Sequence, residues 1–251
     1  MSGDRLGAGL IREIRRTYPD AVFEGIAGPA MIESGCRSWL PLEELSVMGL
    51  SEVARHIGRL LNIKRQVIRR FLGHRPDVFV GIDAPDFNLR VEPALKAAGI
   101  PTVQYVSPSL WAWRPGRVRT VAAAVDRVLC LLPFEPDFYR PHGVDAVFVG
   151  HPMADEIPMV PDRAAARAAL GIPADGVVVA MLPGSRMSEI QSLAGPFADT
   201  AAYITARRPD IRFVLPVASS RLKEPVRAAV SAAGVANRVR LVDGRAREVM
   251  T

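Results

Sequence analysis

Residues 78–82 read Val-Phe-Val-Gly-Ile, a near-continuous apolar run of strand length, which suits a central β-strand covered on both faces. Comparable short runs rich in branched residues occur at 21–26, 77–82, 102–106, 127–131, 146–149, 177–181, 212–217 and 239–241. Longer Ala/Arg/Leu stretches of helical period separate them. Parallel strands joined by crossover helices produce that alternation, so an α/β protein is expected.

The chain has 251 residues, 49% hydrophobic and 23% charged, a composition that excludes disordered and collagen-like classes. The net charge is +6, and all but three of the 32 basic residues (Lys64, Lys96, Lys223) are arginine. Anionic partners are favoured, although arginine richness in an Ala-rich chain also follows from genome bias. Charge alone leaves phosphate, nucleic acid and an anionic membrane surface open. Cys36 and Cys130 lie in separate segments without C-x-x-C spacing, so neither a zinc site nor a disulfide framework is indicated, and a reducing compartment is the simplest reading. No signal-peptide pattern opens the chain, and no window reaches the ~18 apolar residues of a spanning helix.

Pro152, Pro158 and Pro161, with Asp155 and Glu156 between them, read as a linker before a helix opening at Asp162. Two α/β units are therefore expected, over residues 1–155 and 156–251, the second with about three strands. The first begins at once with a helix-like stretch over 5–16, without the strand that normally opens a doubly wound unit. At the other end Asp243-Gly244 reads as a strand-to-helix turn into a helix barely begun by Thr251.

Ligand crevices of open α/β sheets lie at the carboxyl ends of the strands. Gly81-Ile82-Asp83-Ala84-Pro85-Asp86-Phe87-Asn88 follows the best strand, which places Asp83, Asp86 and Asn88 near such a crevice. A carboxylate there can take a proton from a substrate hydroxyl; the same residues also suit an N-cap and turn. After the next strand, Ser107 and a loop bearing Trp111, Trp113, Arg114 and Arg117 suit an apolar or sugar-like ligand carrying an anion, or indoles packed under a loop. His151, in Gly150-His151-Pro152, either binds ligand or caps the hinge.

In the second unit, Leu182-Pro183-Gly184-Ser185-Arg186 joins a strand to a helix near Glu189. Glycine permits close backbone approach, a helix N-terminus offers free amides, and arginine can grip phosphate with two donors. This is a candidate diphosphate site or an ordinary connection; the P-loop and G-x-G-x-x-G spacings are absent. A helix expected over 51–72 carries apolar Val53, Ile57, Leu60, Leu61, Ile68 and Phe71 and cationic Arg55, Arg59, Arg65 and Arg69. Its apolar side packs on the sheet or meets lipid, and residues 47–50 add apolar surface for the second case.

These residues resemble the lipid-A-disaccharide synthases, inverting glycosyltransferases of the two-lobed GT-B type. The matching stretches are SGDRLGAGLI (2–11), GIAGPAMIESG (25–35), VMGLSEV (47–53), FVGIDAPDFN (79–88), YVSPSLWAWRPGRV (105–118), LLPFEPDFY (131–139), GHPMAD (150–155) and LPGSRMSEI (182–190). The resemblance implies two Rossmann-like lobes, the first binding acceptor and the second UDP-sugar. It implies transfer of 2,3-diacylglucosamine from UDP-2,3-diacylglucosamine to 2,3-diacylglucosamine 1-phosphate (lipid X), giving a β-1,6 disaccharide and UDP. It further implies no metal, cofactor or nucleic acid, and a peripheral location at the cytoplasmic, anionic face of the inner membrane of Gram-negative bacteria.

Carried over residue by residue, the resemblance makes Asp83 the general base. Gly184, Ser185 and Arg186 would hold the UDP diphosphate. Ser2, Gly3 and Asp4 belong to the first ligand loop, with Asp86, Asn88, Ser107, Trp113, Arg114 and His151 lining the cleft. Family members carry a strand and A-G-E-x before S-G-D, where Met1 stands here, and extend beyond Thr251; the expectation is an acceptor lobe without its first strand and the front of a donor lobe. The rival readings are another GT-B enzyme acting on a UDP-sugar and a non-catalytic fragment that binds lipid or a partner.

Overall fold

The computed structural model describes residues 2–42, 50–113 and 115–251, without the side chains of Ser2, residues 50–57 and Trp113. Arg114 and the apolar stretch 47–49 therefore lie outside the described residues, as do the side chains of Leu50, Val53, Arg55 and Ile57. Two compact units emerge, Met1–Ile157 and Pro158–Thr251. All paired strands are parallel.

The first unit runs α1 (Ser2–Thr17), β1 (Phe23–Ala27), α2 (Pro29–Glu33), β2 (Cys36–Pro41), α3 (Leu50–His74), β3 (Phe79–Ile82), α4 (Pro85–Ala97), β4 (Thr102–Tyr105), α5 (Leu110–Trp113), α6 (Val118–Ala124), β5 (Arg127–Cys130), α7 (Glu135–Tyr139), β6 (Asp145–Phe148) and α8 (Met153–Glu156). Strands β3-β4-β5-β6 pair in sequence order, while β1 and β2 pair with each other. The second unit runs α9 (Arg163–Leu170), β7 (Val178–Ala180), α10 (Met187–Arg207), β8 (Arg212–Val217), α11 (Ser220–Ala232), β9 (Val239–Asp243) and α12 (Ala246–Met250), with sheet order β7-β8-β9.

Strand β2 was not among the sequence expectations. Its Arg37 and Ser38 interrupt the apolar signal; it pairs in parallel with β1 through the backbone, and around the register shift after Gly25 the Ser38 hydroxyl accepts from the Ala27 amide at 3.1 Å and donates to the Leu40 carbonyl at 2.7 Å. The helix expected at 51–72 is α3. Its Ile63, Val67 and Phe71 are buried with Phe79, Val91 and Leu95, and Ile68 packs against them. The described part of that apolar stripe thus faces the sheet, while Leu61 stays exposed. Among the described residues no helix is long and apolar enough to cross a membrane.

On β3, Phe79 and Gly81 face α4, because alternate residues share a face. A methyl group at Gly81 would clash with Glu92 Oε1 and lie 3.0 Å from Asn88 Cβ, so a bare Cα is what lets α4 approach. Asp4 ties α1 to α2. Its buried carboxylate accepts from the Ala30 and Met31 amides, both at 3.0 Å, and so caps α2, whose own N-cap residue, Gly28, has no side chain to do it.

Two predictions follow from these buried carboxyls. Replacing Asp4 with Ala strands two amides, and chemical denaturation should register a loss of about 1–3 kcal/mol. Burial pushes the Glu92 carboxyl up from its ordinary 4.5 to about 8. Folding above pH 4.5 therefore takes up a proton, and this group's contribution is full below 4.5 and is lost as the pH rises through about 8. In melting scans Glu92→Gln should match the parent near pH 4.5 and exceed it by about 5 °C at pH 8.

Candidate functional site

Asp83 stands immediately after β3 with φ +54°, and Ala84 follows with φ +41°. Two consecutive non-glycine residues in the left-handed region cost about 1–2 kcal/mol each and persist only under restraint from their surroundings. The Asp83 amide donates to the Tyr105 carbonyl at 2.9 Å. The Asp83 carbonyl accepts from Asn88 Nδ2 at 2.7 Å and from Gln104 Nε2 at 3.1 Å. Beyond β4, Val106 adopts φ +79°, a severe position for a β-branched residue, and its carbonyl also accepts from Gln104 Nε2, at 3.2 Å. One buried amide therefore braces both strand ends.

Gly3, in the first turn of α1, packs on the other side of Asp83. A methyl there would lie 3.1 Å from Asp83 Cβ and 3.6 Å from Oδ2. Its place in the site is thus clearance: the missing side chain lets α1 meet the Asp83 turn. Asp83 itself is half-buried, with its side chain at the carboxyl end of the sheet.

The remaining expected cleft residues divide. Asp86 is exposed and paired with Arg117 at 3.2 Å. Asn88 is buried and serves the Asp83 carbonyl, so it lies beneath the turn and does not line an open cleft. Ser107 is likewise buried, its hydroxyl 3.0 Å from the Tyr139 hydroxyl, which burial pushes up to about 12. Asp4 engages both carboxylate oxygens in capping α2. Ser2 lies in α1 and Trp113 in α5, with side chains outside the described residues, as is all of Arg114.

His151 Nδ1 accepts from the Met153 amide at 3.1 Å, and the residue lines an open pocket of about 280 Å³. Leu10, Tyr105, Leu129, Gly150 and Asp155 complete that wall, at the ends of β4, β5 and β6. Trp111, on the neighbouring loop, donates from Nε1 to buried Glu135 at 3.3 Å and meets Phe134 edge-on at 4.9 Å, leaving part of both rings exposed.

In the second unit, Gly184 has φ +134°, and a methyl on it would strike Glu189 Cβ at 2.5 Å, so this position admits glycine. Glu189 Oε2 accepts from the Ser185 amide at 2.7 Å and the Arg186 amide at 3.0 Å, and Oε1 accepts from Arg186 Nη1 at 2.7 Å. Chiefly the Ser185 amide, and then Arg186, hold the Glu189 carboxyl below its ordinary value. The donors expected for a diphosphate already grip an anion, this chain's own. Among the described residues no cluster of His, Cys, Asp or Glu could hold a metal ion.

Sequence reasoning missed Gln104 and Glu92, and it placed Glu189 at a helix start without its role as acceptor for the Ser185 and Arg186 amides. Glu92 carried a readable signal, an acid at a core-facing helical position among Leu89, Val91 and Leu95. Glu189 carried another, the acidic residue three places after a helix N-cap. Gln104 carried none, since only the β3/β4 register places it beside Gly81.

The family model described as lipid-A-disaccharide synthetase matches residues 1–251. Lipid-A-disaccharide synthase of Alkalilimnicola ehrlichii is 56% identical over 99% of this chain, and that of Chromohalobacter salexigens 49% identical over 100%. The chain spans 66% and 65% of the length of these two relatives. Among solved structures, a UDP-GlcNAc 2-epimerase from Neisseria meningitidis bound to UDP-GlcNAc superposes with TM-score 0.63 at 11% identity, covering 99% of this chain and 71% of that one. S. aureus MnaA, in a co-structure with UDP, gives 0.52 at 13% identity, covering 85% and 56%. Those likenesses show the fold, the Rossmann-like α/β architecture of GT-B proteins. The chain belongs to the lipid-A-disaccharide synthetase family.

Proposed function

We propose that this chain supplies the acceptor-binding unit and part of the donor-binding unit of an inverting glycosyltransferase. The enzyme joins UDP-2,3-diacylglucosamine to lipid X and releases UDP. Family membership supports the reaction class, and one structural observation carries the assignment of the base: the Asp83 carboxylate stands at the end of β3 on a left-handed turn clamped by Gly3, Asn88 and Gln104.

In this reading Asp83 takes the proton of the acceptor 6-hydroxyl as that oxygen attacks the anomeric carbon from the face opposite UDP. The new C–O bond forms as the bond to the β-phosphate oxygen breaks, and the electron pair leaves with UDP. One displacement inverts the configuration. Arg186, with Gly184 and Ser185, holds the diphosphate and stabilises charge arriving on it. The diphosphate takes the place of the Glu189 carboxylate at the Ser185 and Arg186 amides. His151 and the pocket beside it line the acceptor side.

Peripheral attachment to the anionic face of the inner membrane belongs to the same proposal. The charge of +6 supports it, as do Arg65 and Arg69, exposed on α3 in the same helix as exposed Leu61 and Leu72.

Asp83→Asn keeps the side chain's shape and removes its basicity. UDP release from the two glycolipids should fall by about a thousandfold or more, with the circular dichroism and melting temperature of the parent retained; near-parental turnover removes Asp83 from the role. Arg186→Ala should weaken UDP binding by about tenfold to a hundredfold in calorimetric titration. An unchanged Kd moves the diphosphate elsewhere.

A further inference from the structure

Glu92 is the anomaly of the first unit. It is fully buried, and neither carboxyl oxygen has a hydrogen-bond partner. Gln104 Oε1 is a third buried acceptor without a partner. All three belong to one layer. Gln104 sits in register with Gly81 and so shares its face of the sheet, while Glu92 follows Asn88 by one helical turn. The Glu92 carboxyl and the Asn88 side chain crowd the same bare Cα, that of Gly81.

That layer lies directly under the Asp83 turn, because Asn88 and Gln104 donate from it to the Asp83 carbonyl. An ionised carboxylate there would be desolvated and surrounded by other acceptors, which strongly disfavours the charge. A proton on Glu92 converts one of three stranded acceptors into a donor. Among the described residues the packed elements make no ion pair with Glu92: β3 has no titratable residue, Tyr105 of β4 points to the opposite face from Gln104, Arg119 of α6 and Arg59, Arg65, Arg69, Arg70 and His74 of α3 are exposed, and Lys64 of α3 is not paired with Glu92.

We propose that Glu92 is a positioning residue for Asp83: its neutral carboxyl closes the space beside Asn88 over Gly81 and so fixes the left-handed backbone from which the Asp83 side chain projects. The proposal rests on Asp83 being the base, as argued above. Without Glu92, the Asn88 side chain gains room to leave the Asp83 carbonyl, and the two strained residues relax toward ordinary conformations. The fold can survive that change, but the geometry of the carboxylate does not.

The test compares Glu92→Gln, Glu92→Ala and Glu92→Met in the full chain by amide hydrogen exchange and by steady-state UDP release from the two glycolipids. Gln preserves shape and neutrality, so exchange at the Asp83 amide and kcat should stay within about threefold of the parent. Ala opens the space and Met fills it without a polar end. For both, the Asp83 amide should exchange at least about tenfold faster while amides of β8 keep parental rates, and kcat should drop about tenfold or more with KM nearly unchanged. Infrared difference spectra of parent against Glu92→Gln should show a protonated carboxyl band at neutral pH.

Parental exchange and turnover in Ala or Met overturns the proposal. So does a Gln variant as impaired as Ala, or a carboxylate band in place of the protonated one. If Asp83→Asn in the complete enzyme keeps parental UDP release, the base assignment fails by itself, and exchange at Asp83 still decides whether Glu92 holds the turn.

Discussion

The hydrogen bonds that converge on the Asp83 carbonyl set the geometry on which the first unit's chemistry depends. Left-handed backbone at Asp83 and Ala84 is unfavourable for residues with a Cβ, and two such residues in succession need an external clamp. Asn88 and Gln104 supply it from below, and α1, free of a side chain at Gly3, closes it from the far side. Gln104 also holds the carbonyl of strained Val106. Strain at the ends of β3 and β4 is therefore coupled through one amide, and a change at either turn is felt at the other. Strained backbone recurs where a side chain must be aimed, because relaxation would turn it elsewhere.

Much of this was legible in the sequence. The β3 run and its Asp83 tip were readable because burial on both faces leaves an unbroken apolar signature before a polar turn. The hinge near Ile157 announced itself through proline, and the helix after Asp162 through its N-cap, which the structure realises as a bond from the Ala165 amide at 2.9 Å. What escaped was whatever depends on tertiary register. Strand β2 is set by its backbone pairing with β1, and Gln104 matters because Gly81 lies across from it. A motif can show that Asp4, Asn88 and Ser107 recur together in a pattern, but whether each faces a ligand or the interior is decided by helix packing. Here packing turned all three inward.

The carboxylates show how far surroundings divide one functional group among different tasks. Asp4 and Glu189 satisfy backbone amides at helix starts, where aligned peptide dipoles favour a negative charge. Glu135 accepts from the Leu132 amide at 2.9 Å and from Trp111, and so holds an aromatic ring at the surface. Glu92, with no hydrogen-bond donor among the described residues, has its carboxyl pushed up by burial to about 8. Asp83 stands half-exposed beyond a strand end, with its backbone carbonyl held by Asn88 and Gln104.

That distinction bears on how each unit meets its ligand. In the first, the clamp acts on the main chain, where Asn88 and Gln104 hold the Asp83 carbonyl. In the second, Glu189 engages the Ser185 and Arg186 donors directly, and under the proposed function a diphosphate would exchange with a carboxylate on the same helix turn. Exchange of one anion for another leaves the amides satisfied throughout and avoids an unpaired guanidinium, so the cost of opening is the difference between two charge-assisted sets of bonds and not the loss of one. Under the proposed function a fixed base and an exchangeable anion cradle are complementary: the reacting oxygen must find its proton acceptor already in place, whereas the leaving group must be held firmly in the transition state and then let go.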